Sequence, residues 1–256
     1  MSRDGIPDGM QPALLRYVAA MYGMQLDQLA ALLTDWGVPA GWARERAEEI
    51  VTGWRAAGVA DGGLLTLGEP WVWLTRKGLN ACALRTRLVK PAAHSLRHTH
   101  AVTDVRLAVE RTAAYRRARG FWRSERWLQA GEFPRREGHP PDAEVHWPAG
   151  TGAPWAGQIW AIEVELTRKS TERTAAIIAQ TLARTTDYAS LPAIGPAPPD
   201  LPPRYGRLIY VCSRLAARAV LDGRAEVGPP ESARVEIYDL PDSATRLHSP
   251  EGGSRP

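Results

Sequence analysis

The sequence predicts an α/β chain, α+β overall, built in two parts. Three helical periods and then two short apolar runs joined by a tight turn occupy the first ninety residues. Beyond them the order is helix, strand, strand, strand, helix, strand, with a further helix and strand appended. Between the two lies Lys90-Pro91, where a helix is disfavoured by the clash of proline with the preceding backbone. The expected division is therefore residues 1–91, residues 92–241 and a loose tail, 242–256.

Element by element, "QPALLRYVAAMYG" puts Leu14, Val18 and Met21 on one stripe and stops at Gly23. "LDQLAALL" repeats Leu26, Leu29 and Leu33. From Pro39 to Ala57 the stripe is Ala43, Ala47, Ile50 and Trp54, closed by Gly58. "LLTL" and "WVWLT" read as a hairpin around "GEP", and "RKGLNACALRTRL" as a short helix. Residues 98–119 read as one long Arg-rich helix with Val102, Val105, Val109 and Ala113 inward. "FWRSERWL", "AEVHW" and "QIWAIEVEL" alternate as strands. "STERTAAIIAQTLARTTDYA" is a helix capped by Ser170 or Thr171, with Ala175, Ile178 and Leu182 inward. "LPAIGPAPPDLPPR" is irregular. "RLIYVCS" is a strand buried on both faces, "RLAARAVLDG" a crossover helix and "RVEIYDL" a last strand.

A chain of 256 residues with ordinary apolar and charged fractions can bury a real core, which excludes wholesale disorder. No run of eighteen apolar residues and no leader pattern in "MSRDGIPDGM" appear, so a cytoplasmic protein without a membrane partner is expected. Cys82 and Cys212 are far apart and lack metal spacing, and read as reduced core residues. Charge is less evenly spread. From Arg76 to Arg126 there are thirteen Lys or Arg against Asp104, Glu110 and Glu125 alone, an excess that suits a polyanion. A solvated helix face would carry the same pattern.

The strand at 158–166 carries Glu163 and Glu165 two residues apart, so both share a face with Thr167 while Ile162, Val164 and Leu166 take the other. Buried carboxylates that close need positive charge opposite them: arginines from neighbouring strands such as Arg123, or a divalent ion. Asp142, at the head of the preceding strand, is placed to reach the same spot. An all-oxygen set of Asp142 and glutamates suits Mg²⁺ or Mn²⁺ and not zinc. His98 and His100 stand two apart at a helix start, which is poor geometry for one ion and suits a polar helix entry. Trp36 and Trp155 sit in loop contexts and are the better candidates for exposed contacts. Trp54, Trp71, Trp73, Trp122, Trp127 and Trp160 fall in periodic core positions.

The helix, helix, helix, hairpin order closing on "WVWLTRKGL" resembles the winged helix-turn-helix family. That resemblance implies a third helix in the major groove and a wing on the backbone, the helix offering Arg44, Arg46 and Arg55; Arg76 and Lys77 of the basic stretch are further expected DNA contacts. Glu45, Glu48 and Glu49 offset the arginines of that helix, and winged helices also serve as docking or dimerisation modules. Pro141-Asp142, the "EVE" of 163–165 and the strand order from about His98 to Ser213 resemble a PD-(D/E)xK restriction-endonuclease-like α/β domain. Together, "HTHAVTDVRLAVE", "PPDAEV" and "AIEVELTRKS" resemble the replication-relaxation family of actinobacterial plasmids and integrative elements. The resemblance implies Asp142 and Glu163 as metal ligands and a DNA-binding protein of replication, mobilisation or DNA relaxation. Arg97, Arg106, Arg116, Arg117, Arg123 and Arg126 would grip phosphates, and Glu110 would be an upstream acid.

The superfamily's lysine is replaced here by Glu165, with Lys169 and Arg168 nearby and Lys169 in the alternation phase of Glu163. Two readings stay open. One is a metal-dependent, nickase-like DNA endonuclease with Glu165 and Lys169 as catalytic groups. The other is a non-enzymatic DNA-binding regulator or adaptor, its degenerate nuclease-like domain used for homodimerisation or for docking another protein of the same element.

Overall fold

In the computed structural model, residues 10–65, 68–131, 140–152, 154–185 and 203–240 are described. They form a mixed α/β chain with two sheets, dividing into two compact units. Of the described residues, the first unit takes 10–111 and 126–131, the second 112–125 and 140–240. The proline-rich stretch up to residue 202 and the tail 242–256 lie outside the described residues.

In the first unit, helical periodicity sets the elements. Leu14 and Val18, one turn apart, are fully buried in α1 (Met10–Ala20). Leu29 and Leu33 do the same in α2 (Leu26–Asp35), and Ala43, Ala47, Ile50 and Trp54 line the inner stripe of α3 (Ala40–Ala56). The antiparallel sheet runs in the order β1 (Met24–Gln25), β3 (Trp71–Leu74), β2 (Ala60–Gly63). The first hairpin strand is thus "ADGG"; of the "LLTL" expected from its aliphatic residues, Leu64 and Leu65 lie past the strand end and 66–67 lie outside the described residues. Its partner "WVWL" is buried at every position, and backbone pairing along Ala60–Gly63 satisfies it.

The "LTRKG" stretch has a concrete structural role. Thr75 Oγ1 donates to Gly58 O at 2.7 Å, and the same oxygen accepts Gly78 N–H at 3.3 Å, capping α4 (Arg76–Ala81). A Cβ on Gly78 would run into the Val59 carbonyl oxygen, so α4 can lie here only without a side chain at that position. The helix expected over 98–119 breaks at Thr112, whose hydroxyl caps a new turn by accepting Tyr115 N–H. The pieces are α5 (Leu96–Arg111) and α6 (Ala113–Ala118). α5 belongs to the first unit, beyond the division expected at Lys90-Pro91. Buried Gln28 holds it, donating to His100 O at 3.0 Å and to Asp104 Oδ1 at 2.7 Å, and Arg111 pairs with Asp35 at 2.7 Å.

The second unit is built on a five-stranded sheet in sequence order: β4 (Phe121–Ser124), β5 (Ala143–His146), β6 (Ile159–Glu165), β7 (Arg207–Cys212) and β8 (Val235–Asp239). Its first two pairings are antiparallel and its last two parallel. Parallel neighbours need crossovers, supplied by α8 (Thr171–Leu182) and α9 (Arg214–Val227). Ser170 and Ser213 cap these helices by accepting the N–H of Arg173 and Ala216. Ala161, Leu208, Tyr210 and Val235 pack on Ile178, Leu182, Ala216 and Val220, so both helices cover one sheet face. On α8 the inward stripe is Thr174, Ile178, Thr181 and Leu182, with Ala175 only half buried, and the helix ends at Leu182. "FWRSERWL" is not one strand. β4 stops at Ser124 and α7 (Glu125–Gly131) follows, because Arg126 is drawn into the interior of the first unit.

Two glycines carry close approaches that stability measurements would detect. A methyl on Gly223 of α9 would stand 2.9 Å from Thr174 Cβ on α8. Overpacking of this kind costs about 1–3 kcal/mol. Gly223→Ala is therefore expected to lower the urea midpoint within that range, and Gly78→Ala to lower it at least as much, since backbone blocks the way there. A midpoint equal to wild type for Gly78→Ala would show that α4 does not lie against Val59.

Candidate functional site

β5 and β6 pair so that Ala143 faces Ile162 and Glu144 faces Ala161. Continuing that register by one residue sets Asp142 opposite Glu163, on the face covered by α8 and α9. Asp142 is buried, and its Oδ2 accepts Val164 N–H at 2.7 Å. β6 pairs in parallel with β7, placing Glu163 beside Tyr210 and Glu165 beside Cys212. Side-chain alternation thus brings the three sequence-predicted acids to one face, at the end of β6 from which α8 departs.

Their partners differ. Glu165 is buried, and its Oε1 accepts Thr167 N–H at 3.3 Å and the Thr167 hydroxyl at 3.2 Å. Lys169 forms an ion pair with Glu165 Oε2. Lys169 reaches it by a different route from strand extension: β6 ends at Glu165, and the turn into Ser170 folds the lysine back four residues. Glu163 retains some exposure as a residue, but its carboxyl is enclosed. Burial pushes that carboxyl well above the ordinary carboxylate range, Asp142 and Glu165 push the same way, and Lys169 and Arg184 oppose them. The Tyr210 hydroxyl is likewise raised, by burial first and then by Glu163 and Glu165.

A fourth carboxylate on this face had no place among the candidates. Glu144 is fully buried; it accepts Arg204 Nε at 2.7 Å, Arg204 Nη2 at 3.1 Å and the Tyr205 hydroxyl at 2.8 Å, and lies 2.8 Å from His146 Nε2. Burial alone would raise its pKa, but His146 and Arg204 overcome that and hold it at about 2. Arg123 stands opposite Glu144 across the β4–β5 pair. Alternation from Asp142 would have placed Glu144 here. Nothing in the sequence marked Arg204 and Tyr205, which come from the end of the proline-rich stretch.

Among the described residues no group of three or more His, Cys, Asp or Glu side chains is disposed to hold a metal ion. Two facing carboxylates, Asp142 and Glu163, are what Mg²⁺ commonly takes from a protein, with water and substrate oxygens completing its shell.

Of the arginines expected on DNA, several are committed elsewhere. Arg126 is buried, donating to Ala19 O at 3.0 Å, Thr86 Oγ1 at 3.2 Å and Arg87 O at 3.3 Å; burial lowers its pKa. Arg106 pairs with Glu110 at 2.8 Å and lies 3.4 Å from the centroid of the Tyr17 ring. Both correct the expectation of phosphate contact, because an arginine turned inward by burial and hydrogen bonds does not present its charge outside. Arg44 pairs with Glu48 and Glu69 at 2.8 Å each, and Arg46 with Glu49 at 2.5 Å. Arg123 is half buried, whereas Arg76, Lys77, Arg97, Arg116 and Arg117 are exposed.

His100 is buried, its Nδ1 3.2 Å from Asp104 Oδ2 and its ring edge-on to Trp71. Trp155 packs on Trp147 and Trp160, while Trp42, not anticipated, is the exposed tryptophan of the N-terminal part. Both cysteines are free and buried. No helix among the described residues is long and apolar enough to cross a membrane. Comparison of the chain with protein-family models, with curated proteins and with solved structures gives no match.

Glu144 and Glu163 make opposite predictions for stability against pH. Glu144 titrates in the fold at about 2, below its ordinary value of 4.5. Its contribution, ~3 kcal/mol from the shift, is complete above about pH 4.5 and is lost as the pH falls through 2. Glu163 has the raised value, so its contribution is present below the ordinary carboxylate range and is lost as the pH rises through that raised value. Urea denaturation from pH 3 to pH 8 should find Glu163→Gln more stable than wild type at pH 8 and equal to it at pH 4. Glu144→Gln should be less stable at pH 7. Equal stability of Glu163→Gln and wild type at pH 8 would mean that the Glu163 carboxylate is not penalised in the fold.

Proposed function

We propose that this is a DNA-binding protein that acts on the phosphodiester backbone, with Asp142 and Glu163 holding a single Mg²⁺ or Mn²⁺ ion. The observation that supports this most is the cross-strand placement of Asp142 against Glu163, with Glu165 and Lys169 gathered on the same face. When bound, such an ion supplies Lewis acidity at a phosphate oxygen and a water of lowered pKa. The chain's own residues do the rest. Thr167 and Lys169 fix the Glu165 carboxylate, which is the group to take a proton from the attacking water. Lys169, a neighbour of both Glu163 and Glu165, provides the positive charge that the superfamily's lysine carries two residues after the glutamate. Action in the replication, mobilisation or relaxation of a plasmid or mobile element rests on the resemblance of "HTHAVTDVRLAVE", "PPDAEV" and "AIEVELTRKS".

A specific observation favours a second reading. Asp142 is satisfied by Val164 N–H and Glu165 by Lys169 and Thr167, so these two acids are partnered without an ion. On that reading the second unit is a nuclease-like scaffold for docking in a DNA-binding regulator. The experiment that separates the two is nicking of supercoiled plasmid with Mn²⁺ or Mg²⁺, together with Mn²⁺ titration followed by electron paramagnetic resonance. Metal-dependent nicking by wild type is expected to fall at least about 100-fold in Asp142→Ala and Glu163→Ala, with loss of bound Mn²⁺. Absence of both Mn²⁺ binding and nicking in wild type would leave the scaffold reading.

A further inference from the structure

Resting on the DNA-binding reading, we infer that the first unit grips duplex DNA through the exposed segment Arg76–Arg97, and not through the helix that the winged-helix resemblance would put in the groove. Charge availability decides between them. On α3, Arg44 and Arg46 are paired with carboxylates of the same unit, and exposed Arg55 is one cation on a helix that also carries Glu45, Glu48 and Glu49. On α5, Arg106 is committed to Glu110 and the Tyr17 ring, and Arg111 is paired with Asp35. Between residues 76 and 97 the chain has six Lys or Arg and no Asp or Glu. Arg76, Lys77, Arg85, Arg87, Lys90 and Arg97 are all exposed.

Carbonyl and aromatic contacts leave the charge of this segment in place. Arg76 donates to Thr86 O at 2.7 Å and Lys77 to Ala57 O at 2.8 Å, while Lys90 Nζ lies 4.9 Å from the Trp73 ring centroid. A carbonyl or an aromatic face orients a cation without neutralising it, whereas a carboxylate cancels its field at a distance. The segment is also held in position. Buried Arg126 bonds Thr86 Oγ1 and Arg87 O while anchored on Ala19 O, so two guanidinium groups, from Arg76 and Arg126, pin the backbone at 86 and 87. Arg126, expected on DNA, is thus a positioning residue for the cations beside it. A preorganised, unopposed cationic stretch is what sequence-independent phosphate contact requires.

The test uses the full chain, a duplex of about 25 base pairs labelled for fluorescence anisotropy, and EDTA, so that binding is read without metal chemistry. Each phosphate contact contributes about 0.9 to the slope of log K against log salt. Arg85→Ala, Arg87→Ala and Lys90→Ala together should lower that slope by about 2 to 3 and weaken binding at least tenfold at low salt. Arg44→Ala with Arg46→Ala should leave the slope within about 0.5 of wild type. The corresponding glutamine triple variant, with a thermal midpoint equal to wild type, guards against a folding effect. An unchanged slope in the triple variants, or a loss in Arg44→Ala/Arg46→Ala instead, overturns the inference and leaves DNA binding standing. No binding of duplex by wild type at 50 mM KCl overturns both, as does preference for phosphatidylserine vesicles over duplex.

Discussion

The antiparallel register between β5 and β6 is the constraint on which the candidate site depends. With Ala143 opposite Ile162, Asp142 falls opposite Glu163, and the acids of both strands come to the face covered by α8 and α9. A slip of one residue would send Asp142 and Glu144 to the other face and bring Ala143 and Val145 among the carboxylates. Two contacts near the start of β5 hold it in place. Asp142 takes Val164 N–H, and Glu144 is clamped by Arg204, Tyr205 and His146. The clamp that makes Glu144 a stable buried charge is therefore also what keeps Asp142 and Glu163 in line.

The two glutamates show why like residues on one face come to different states. Glu144 has a guanidinium, a phenol and an imidazole arranged around it, and its charge is favoured despite burial. Glu163 has two carboxylates as neighbours, opposed by Lys169 and Arg184, and burial prevails, so its charge is disfavoured. Enclosure is common to both; the geometry of the hydrogen-bond donors separates them.

Arginine does two jobs in the first unit. Arg126 and Arg106 are drawn inward, one to carbonyls and a hydroxyl, the other to a carboxylate and an aromatic face, and both join elements distant in sequence. The arginines and lysines from 76 to 97 stay outside with no acid among them. An abundance of arginine in a sequence is therefore not itself a map of a binding surface, because burial consumes part of it.

Read alone, the sequence determined the mixed α/β class, the inward stripes of α1, α2 and α3, the order of strands in the second unit and the shared face of Glu163 and Glu165. These follow from periods of 3.6 and 2, which are local properties of the backbone. Tertiary structure alone decided where the chain breaks at Thr112 and Ser124, that α5 joins the first unit, and which charges are used inside. A hydroxyl cap and the burial of Arg126 outweigh local propensity at those two breaks, and buried Gln28, reaching His100 and Asp104, retains α5. It also decided the partner of each acid. Lys169 for Glu165, and Arg204 with Tyr205 for Glu144, are pairings across a turn and across the sheet, and periodicity along one strand carries no record of them.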